Sequence, residues 1–293
     1  MPIARYAVIG NPVAHSLSPL IHAAFARQTG EAIEYTRLLA PIDAFALTAR
    51  RFFESGGRGL NVTVPFKRAA LDLAVTLTER AKRAGAINTL TSEHGALRGD
   101  NTDGVGLVAD LERLGAAHGF SVRGARVLLL GAGGAARGAI GPLLAERPRA
   151  LVVANRSVEK AEALVRDARR DIDDETVVEA IALAAFDTAP GSAGSKFDLV
   201  INATSASLSG ATLALPERIF ASAHLVYDMM YGAVPTPFMR DAETRGARQV
   251  ADGLGMLVEQ AAESFFVWRG VRPDTSVVLA RMRDRLAQEA SRR

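Results

Sequence analysis

The 293-residue sequence predicts an α/β protein of two α/β domains, the second built on a doubly wound parallel sheet. Three observations lead there. Short apolar runs alternate with helix-forming segments along nearly the whole chain, the pattern of strands covered by crossover helices. The length is large for one hydrophobic core and suits two. Residues 126–138, Arg-Val-Leu-Leu-Leu-Gly-Ala-Gly-Gly-Ala-Ala-Arg-Gly, pass from an apolar run into a helix former through a glycine turn. That turn is of the kind that cradles a dinucleotide pyrophosphate, which makes the second domain Rossmann-type.

Composition narrows the function classes. Hydrophobic residues at 48% and charged residues at 23% are globular values. The net charge of +3 is small and its cations are scattered, so nucleic acid is not suggested as a partner. There is no cysteine, which removes disulfides, thiolate metal sites and cysteine nucleophiles. The five histidines, His15, His22, His94, His118 and His224, lack metal-ligand spacing, so no metal is expected. The chain starts directly on a strand pattern without a leader-type apolar run, and no run approaches the ~20 residues that span a bilayer. The expectation is a cytoplasmic protein with no membrane partner.

In the first half, residues 4–9 are an apolar strand closed by Gly10-Asn11-Pro12. Ser18 before Pro19 reads as an N-cap with proline at the first helical position, opening a helix to about Thr29. Ser16 and Ser18 stand where strand gives way to helix, the place where open α/β sheets bind ligands; two capping serines explain them equally well. Residues 33–38 are a second strand, and Asp43 caps a helix to about Ser55. On a third strand, 59–63, Asn61 and Thr63 alternate onto one face. Lys67 follows just past its end, where lysine is also an ordinary surface cation. Thr78-Glu79-Arg80 starts a helix to about Gly85, and residues 87–90 and 96–97 form a hairpin. Asn101 or Thr102 caps a helix over 105–114, with Asp103 in its first turn. A helix dipole favours a carboxylate there, so Asp103 reads as a site residue or as a good helix start.

In the second half, Gly131, Gly133 and Ala136 fit G-x-G-x-x-(G/A). The first permits the tight turn, the second lets backbone approach a pyrophosphate, and the third keeps helix against strand. The next strand, 150–154, ends in Asn155-Arg156-Ser157 with Lys160 one turn on. An NAD site places Asp or Glu there for the ribose 2′-hydroxyl; two cations with small hydrogen-bonding groups favour a 2′-phosphate, hence NADP. A helix over 158–169, a charged exit at 171–175, and strands at 197–201 and 225–229 follow. Pro235-Thr236-Pro237-Phe238 starts a short helix. Gly253-Leu254-Gly255 leads into a helix over 256–268, where Gln260 is the polar exception on a face of Leu257, Ala261, Phe265 and Trp268. Pro273 starts the last helix.

Taken together these segments resemble the shikimate dehydrogenase family over nearly the full length. The motifs that carry the resemblance begin with Ile9-Gly-Asn-Pro-Val-Ala-His-Ser-Leu-Ser-Pro19, Asn61-Val-Thr-Val-Pro-Phe-Lys67, Gly85-Ala-Ile-Asn-Thr89 and Gly99-Asp-Asn-Thr-Asp103. They continue with the glycine turn 131–138, Asn155-Arg-Ser157, Ile201-Asn-Ala-Thr-Ser205 and Gly253-Leu-Gly-Met-Leu-Val-Glu-Gln260. Two departures are small: Ser157 stands where threonine is common, and Ser207 where glycine is common.

The resemblance implies NADP-linked interconversion of 3-dehydroshikimate and shikimate in aromatic amino-acid (chorismate) biosynthesis. It places the catalytic pair on Lys67 and Asp103, and substrate binding on Ser16, Ser18, Asn61, Thr63, Lys67, Asn88, Asp103, Tyr231 and Gln260. Cofactor positions fall on Gly131, Ala132, Gly133, Gly134, Ala135, Ala136, Asn155, Arg156, Ser157, Lys160, Thr204, Met229 and Gly253. The expected domains are a substrate-binding α/β domain over 1–103, completed by C-terminal helices within 259–293, and a Rossmann-type NADP domain over 104–258. The alternative within the family is a quinate/shikimate dehydrogenase of relaxed substrate and cofactor specificity. A non-catalytic NADP sensor is disfavoured by the intact Lys67 and Asp103. The expected partners are the small-molecule substrate and NADP, in a monomer or homodimer.

Overall fold

The computed structural model describes residues 3–169, 176–188, 196–204, 206 and 213–291. The chain forms two compact units, Met1–Gly106 with Leu257–Asp284, and Leu107–Met256 with Arg285–Arg293.

The first unit contains β1 (Ala4–Gly10), α1 (Ser18–Thr29), β2 (Ile33–Leu39), α2 (Phe45–Glu54) and β3 (Gly57–Val62). A 3₁₀ turn (Ala69–Leu73), β4 (Thr76–Leu77), α3 (Glu79–Ala84), β5 (Thr89–Glu93) and β6 (Ala96–Asp100) follow. The sheet order is β2-β1-β3-β5-β6-β4. β1 is parallel to both β2 and β3, whereas β5 is antiparallel to both its neighbours. β2 and β3 lie on opposite sides of β1, so the strand order reverses between β1 and β3. Open sheets bind ligands at such a point, beyond the carboxyl ends of the strands.

Two cap assignments differ from expectation. Ser18 is the first residue of α1 and Leu17 precedes it without a side-chain cap. The Ser16 hydroxyl accepts from the Ser18 backbone N–H instead, at 3.3 Å. Asp43 caps nothing: α2 starts after Ala44, again with no side-chain hydrogen bond. Thr78 does cap α3, accepting from Ala81 N–H, and Gly85 ends that helix in the left-handed conformation glycine favours. The 3₁₀ turn and the two-residue β4 are too short to leave a periodic signal.

The second unit contains the body of α4 (Asp103–His118), then β7 (Arg126–Leu130), α5 (Gly134–Ala145), β8 (Ala150–Asn155), α6 (Val158–Ala168), β9 (Val177–Ala182) and α7 (Ala185–Thr188). β10 (Leu199–Asn202), α8 (Glu217–Ala221), β11 (Leu225–Asp228), α9 (Pro237–Thr244) and β12 (Val250–Asp252) complete it. α10 (Leu254–Arg269) and α11 (Ser276–Ala290) close the chain. The sheet runs β12-β11-β10-β7-β8-β9 with every pairing parallel. Numbered from β7, that is the doubly wound order 3-2-1-4-5-6 of a Rossmann-type fold.

β7 shows why this sheet is central. Val127 and Leu129 enter one core with Leu111, Ile140 and Leu164, while Leu128 and Leu130 enter the opposite one with Phe220 and Phe238. A strand buried on both faces reads as a continuous apolar run, as this one does. Truncating Leu129 to alanine there costs about 2–5 kcal/mol. β9 escaped the sequence reading because it is an edge strand with Glu179 in its middle. α11 begins three residues later than Pro273 suggested, at Ser276. The charged exit at 171–175 and Ser205 and Ser207 lie outside the described residues. No helix among the described residues is long and apolar enough to cross a membrane.

Candidate active site

In the first unit, the carboxyl ends of β1 and β3 are pressed together at Gly10, where a Cβ would lie 2.4 Å from the Thr63 methyl. Only glycine permits that approach. The turn after β3 then seats Phe66 in the core, stacked on Phe45 at 4.6 Å. That anchor leaves Lys67 pointing out of the core, with its backbone carbonyl accepting from Ile87 N–H at 2.8 Å. Asn88 follows directly.

Lys67 Nζ donates to Asp103 Oδ2 at 2.6 Å. The other carboxylate oxygen, Oδ1, accepts from Asn88 Nδ2 at 2.8 Å. Asp103 opens α4, and its backbone N–H is taken by Asn101 Oδ1. The Asp103 side chain is 15% exposed and that of Lys67 33%, so the pair is open on the lysine side. Both oxygens of this carboxylate are thus engaged at the first turn of α4, one by the ammonium and one by the Asn88 amide.

Asn88 is the hub of a buried polar web. Its Oδ1 accepts from Thr102 N–H and from the Thr89 hydroxyl; its Nδ2 also lies within reach of Gln260 Oε1 at 3.3 Å. Gln260 enters because α4 and α10 touch at Gly106, where a Cβ would lie 2.6 Å from Gln260 N. Asn61 Nδ2 donates to Ser264 Oγ at 2.9 Å. Ser16 Oγ donates to Ser18 Oγ at 3.2 Å, and the Arg37 guanidinium donates twice to the Ser16 carbonyl. Thr63 follows Asn61 on the same face and is partly buried. Thr89, Thr102 and Ser264 escaped the sequence reading as members of this web. Thr102 was legible only as a helix cap, and the other two carry no local signal.

A second network braces the first. Arg80 grips Asp100 with two hydrogen bonds of 2.6 Å and reaches Glu263 at 2.8 Å, while Arg272 holds the other Glu263 oxygen at 2.7 Å. Burial pushes both carboxyls up, but the hydrogen bonds from Arg80, joined by Thr78 on Asp100 and Arg272 on Glu263, win and hold them below the usual range. Asp100 is three residues from Asp103 and Glu263 three from Gln260. Nothing in the linear sequence pairs Arg80 with either.

In the second unit, Gly131 has φ +105° and sits against Ala203 and the Thr204 methyl. This joins the turns after β7 and β10, the two strands between which the order reverses. A Cβ added at Gly133 or Gly134 would meet nothing within 4 Å, and these residues and Ala135 are exposed. Packing therefore does not require glycine at either position; backbone is bared there at the start of α5, a cradle for a phosphate. Ala132 and Ala136 are buried beneath it.

Asn155 Nδ2 donates to the Ser157 carbonyl at 2.9 Å, shaping the turn after β8. Ser157 precedes α6, yet its hydroxyl caps no N–H of that helix. Arg156 and Lys160 are exposed, and neither side chain has a hydrogen-bond or ion-pair partner among the described residues. Buried Asn202 links the neighbouring loops: Oδ1 accepts from Thr204 N–H and Oγ1, and Nδ2 donates to Asp228 Oδ1. Met229 N–H donates to the Asn202 carbonyl, and a Cβ on Gly253 would lie 2.2 Å from the Met229 carbonyl. Tyr231 belongs to this unit too, with its phenol pushed up by burial and by the Asp252 carboxylate.

A doubly wound dinucleotide fold, in one chain with a unit that carries a lysine–aspartate pair, defines the class of two-unit, dinucleotide-dependent α/β oxidoreductases. Residues 8–90 match the family described as shikimate dehydrogenase substrate binding domain. Residues 114–210 match shikimate / quinate 5-dehydrogenase, and 253–283 the shikimate 5'-dehydrogenase C-terminal domain. The chain is 55% identical over 288 residues to a shikimate dehydrogenase (NADP(+)) of Dechloromonas aromatica, covering 96% of this chain and 98% of that one. Among solved structures it is similar to an Ael1 enzyme from Pseudomonas putida, at 43% identity and TM-score 0.86, over 95% of this chain and 97% of that one. It is also similar to the shikimate 5-dehydrogenase of Thermus thermophilus in complex with NADP(H) and shikimate. That likeness is 31% identical with TM-score 0.80, over 97% of this chain and 100% of the other. The chain belongs to the shikimate dehydrogenase family.

Proposed function

We propose that this protein is an NADP-dependent shikimate dehydrogenase, reversibly reducing 3-dehydroshikimate to shikimate in aromatic amino-acid biosynthesis. The observation that carries the reading is the 2.6 Å Lys67–Asp103 pair, wired to Asn88, in a chain of this family. When bound, NADP supplies the hydride that moves to or from the substrate C3. Lys67 manages the C3 oxygen: its ammonium donates a proton to the forming alkoxide and stabilises the charge that develops there. Asp103 orients Lys67 and accepts from a neighbouring substrate hydroxyl, and in the oxidative direction the pair takes the proton back. Ser16 and Ser18 bind the substrate carboxylate through hydroxyl donors. Asn61, Thr63, Asn88 and Gln260 take the ring hydroxyls.

For the cofactor, residues 131–136 hold the pyrophosphate on bared backbone N–H groups. Arg156, Ser157 and Lys160, on the turn shaped by Asn155, clamp the 2′-phosphate; their free hydroxyl and cations support this. Thr204, Met229 and Gly253 border the nicotinamide end. The first unit thus serves as the substrate-binding part and the second as the NADP-binding part. The enzyme works in the cytoplasm as a monomer or homodimer, a setting that its cysteine-free composition fits. Assaying shikimate and quinate, each with NADP⁺ and NAD⁺, tests the reading. The highest kcat/KM is expected for shikimate with NADP⁺; equal values for both cofactors, or quinate matching shikimate, overturn the specificity assigned to it.

A further inference from the structure

We propose that Tyr35, on β2, is a positioning residue that fixes the Asn61 amide so that Asn61 meets a substrate hydroxyl as an acceptor. The inference rests on the assignment of Asn61 to the substrate.

Asn61 is 6% exposed and its amide is nearly saturated. Nδ2 faces the backbone carbonyl of Asn88 at 3.2 Å, Thr89 Oγ1 at 3.1 Å and Ser264 Oγ at 2.9 Å. A carbonyl cannot donate, so the nitrogen must lie on that side and the oxygen on the other. There the Tyr35 hydroxyl donates to Oδ1 at 2.7 Å. An amide with its nitrogen spent and one oxygen lone pair taken offers a single remaining lone pair, which recognises a hydroxyl donor and rejects an acceptor.

Tyr35 is itself held. Its ring stacks on His22 with centroids 4.1 Å apart and planes 6° from parallel. His22 is fully buried, and neither ring nitrogen has a hydrogen-bond partner. Burial, against a weaker upward pull from the Asn61 side chain, drives its pKa down to about 3, so near neutral pH it is an uncharged, flat shelf. Loss of water around the Tyr35 hydroxyl raises its pKa well above the usual value, against the pull of the Ser18 hydroxyl, so the phenol stays protonated and donating.

The test is a set of three variants, Tyr35→Phe, Asn61→Ala and the double, each checked for an unchanged thermal midpoint, with kcat and KM measured for shikimate and NADP⁺. Losing one neutral hydrogen bond that acts on ground-state binding predicts a shikimate KM raised about five- to tenfold in Tyr35→Phe, with kcat and the NADP⁺ KM nearly unchanged. If Tyr35 acts on the substrate through Asn61 rather than through Ser18, the double variant should be no worse than Asn61→Ala alone. A normal shikimate KM in Tyr35→Phe beside a raised one in Asn61→Ala overturns the proposal and leaves Asn61 as a substrate contact. Additive effects in the double overturn it as well. A normal shikimate KM in Asn61→Ala removes Asn61 from the substrate site and this proposal with it.

Discussion

The two units hold their functional groups in opposite ways. In the first, the side chains are bonded to one another before any ligand arrives: Lys67 to Asp103, Asp103 to Asn88, Asn88 to Thr102, Asn61 to Ser264. In the second, the groups proposed to face a phosphate are bare: Arg156, Lys160 and the Ser157 hydroxyl are unengaged among the described residues, and Gly133 and Gly134 front open space. The difference follows from what is recognised. A small polyhydroxylated ring must be read by direction, and buried polar groups that are not already satisfied would destabilise the fold. A phosphate is read by charge, which exposed cations and a helix N-terminus supply without prior order.

The contrast breaks first at the pair proposed as catalytic. Lys67→Ala should lower kcat by roughly 10²–10⁴ with a smaller change in KM, the range for losing an acid–base group. Steady-state kinetics with shikimate and NADP⁺ decide it, and near-normal turnover would remove Lys67 from the mechanism. Next comes the brace. Arg80→Met leaves Asp100 and Glu263 buried without their main partner, and should cost about 3–5 kcal/mol of stability at neutral pH by chemical denaturation.

The sign of the pH dependence follows from the same carboxyls. Both titrate lower in the folded chain than in the unfolded one, so their stabilisation is full above the unfolded pKa of about 4 and is lost as pH falls through the folded values. Acid should therefore weaken the native protein. It should weaken the Arg80→Met protein less, because protonation relieves its unpaired charges. Thermal midpoints at pH 7 and pH 3 test this, and an identical acid loss in both proteins would deny the brace its role.

The smallest effect is expected on the bare side. Replacing Arg156 and Lys160 together by alanine should raise the KM for NADP⁺ about 10–100-fold, as for the loss of charge-assisted contacts of ~1.5–3 kcal/mol. NAD⁺ kinetics and the melting temperature should scarcely move, since these side chains hold nothing among the described residues. A large fall in melting temperature would mean that the second unit is wired after all.

Legibility followed the same division. The turn at Gly131 and the cations after β8 stand in order along a few residues, so these proposed cofactor groups could be read from spacing, whereas Met229 and Gly253 came only with the family resemblance. The first unit's groups come from segments as distant as Ser16 and Gln260, and each taken singly had an ordinary explanation as a cap, a helix start or a surface lysine. Only the ordered set of family motifs joined them. The misread caps at Ser18 and Asp43 have a local cause. Residues with short polar side chains promise a cap wherever a helix begins, and whether the hydroxyl or carboxylate turns to the helix depends on what else it can bond.

The linear sequence by itself determined the α/β class, the glycine turn, the strand ends that carry chemistry and, through its motifs, the family. These are consequences of local period, turn chemistry and residue order. Tertiary structure alone decided that Arg80 grips Asp100 and Glu263, that Tyr35 rests on His22 and turns the Asn61 amide, and that Gly106 admits Gln260 to the web around Asn88. The physical reason is that a hydrogen bond depends on distance and angle to within a fraction of an ångström. Those are set by how whole elements pack, and no property of the isolated residues encodes them.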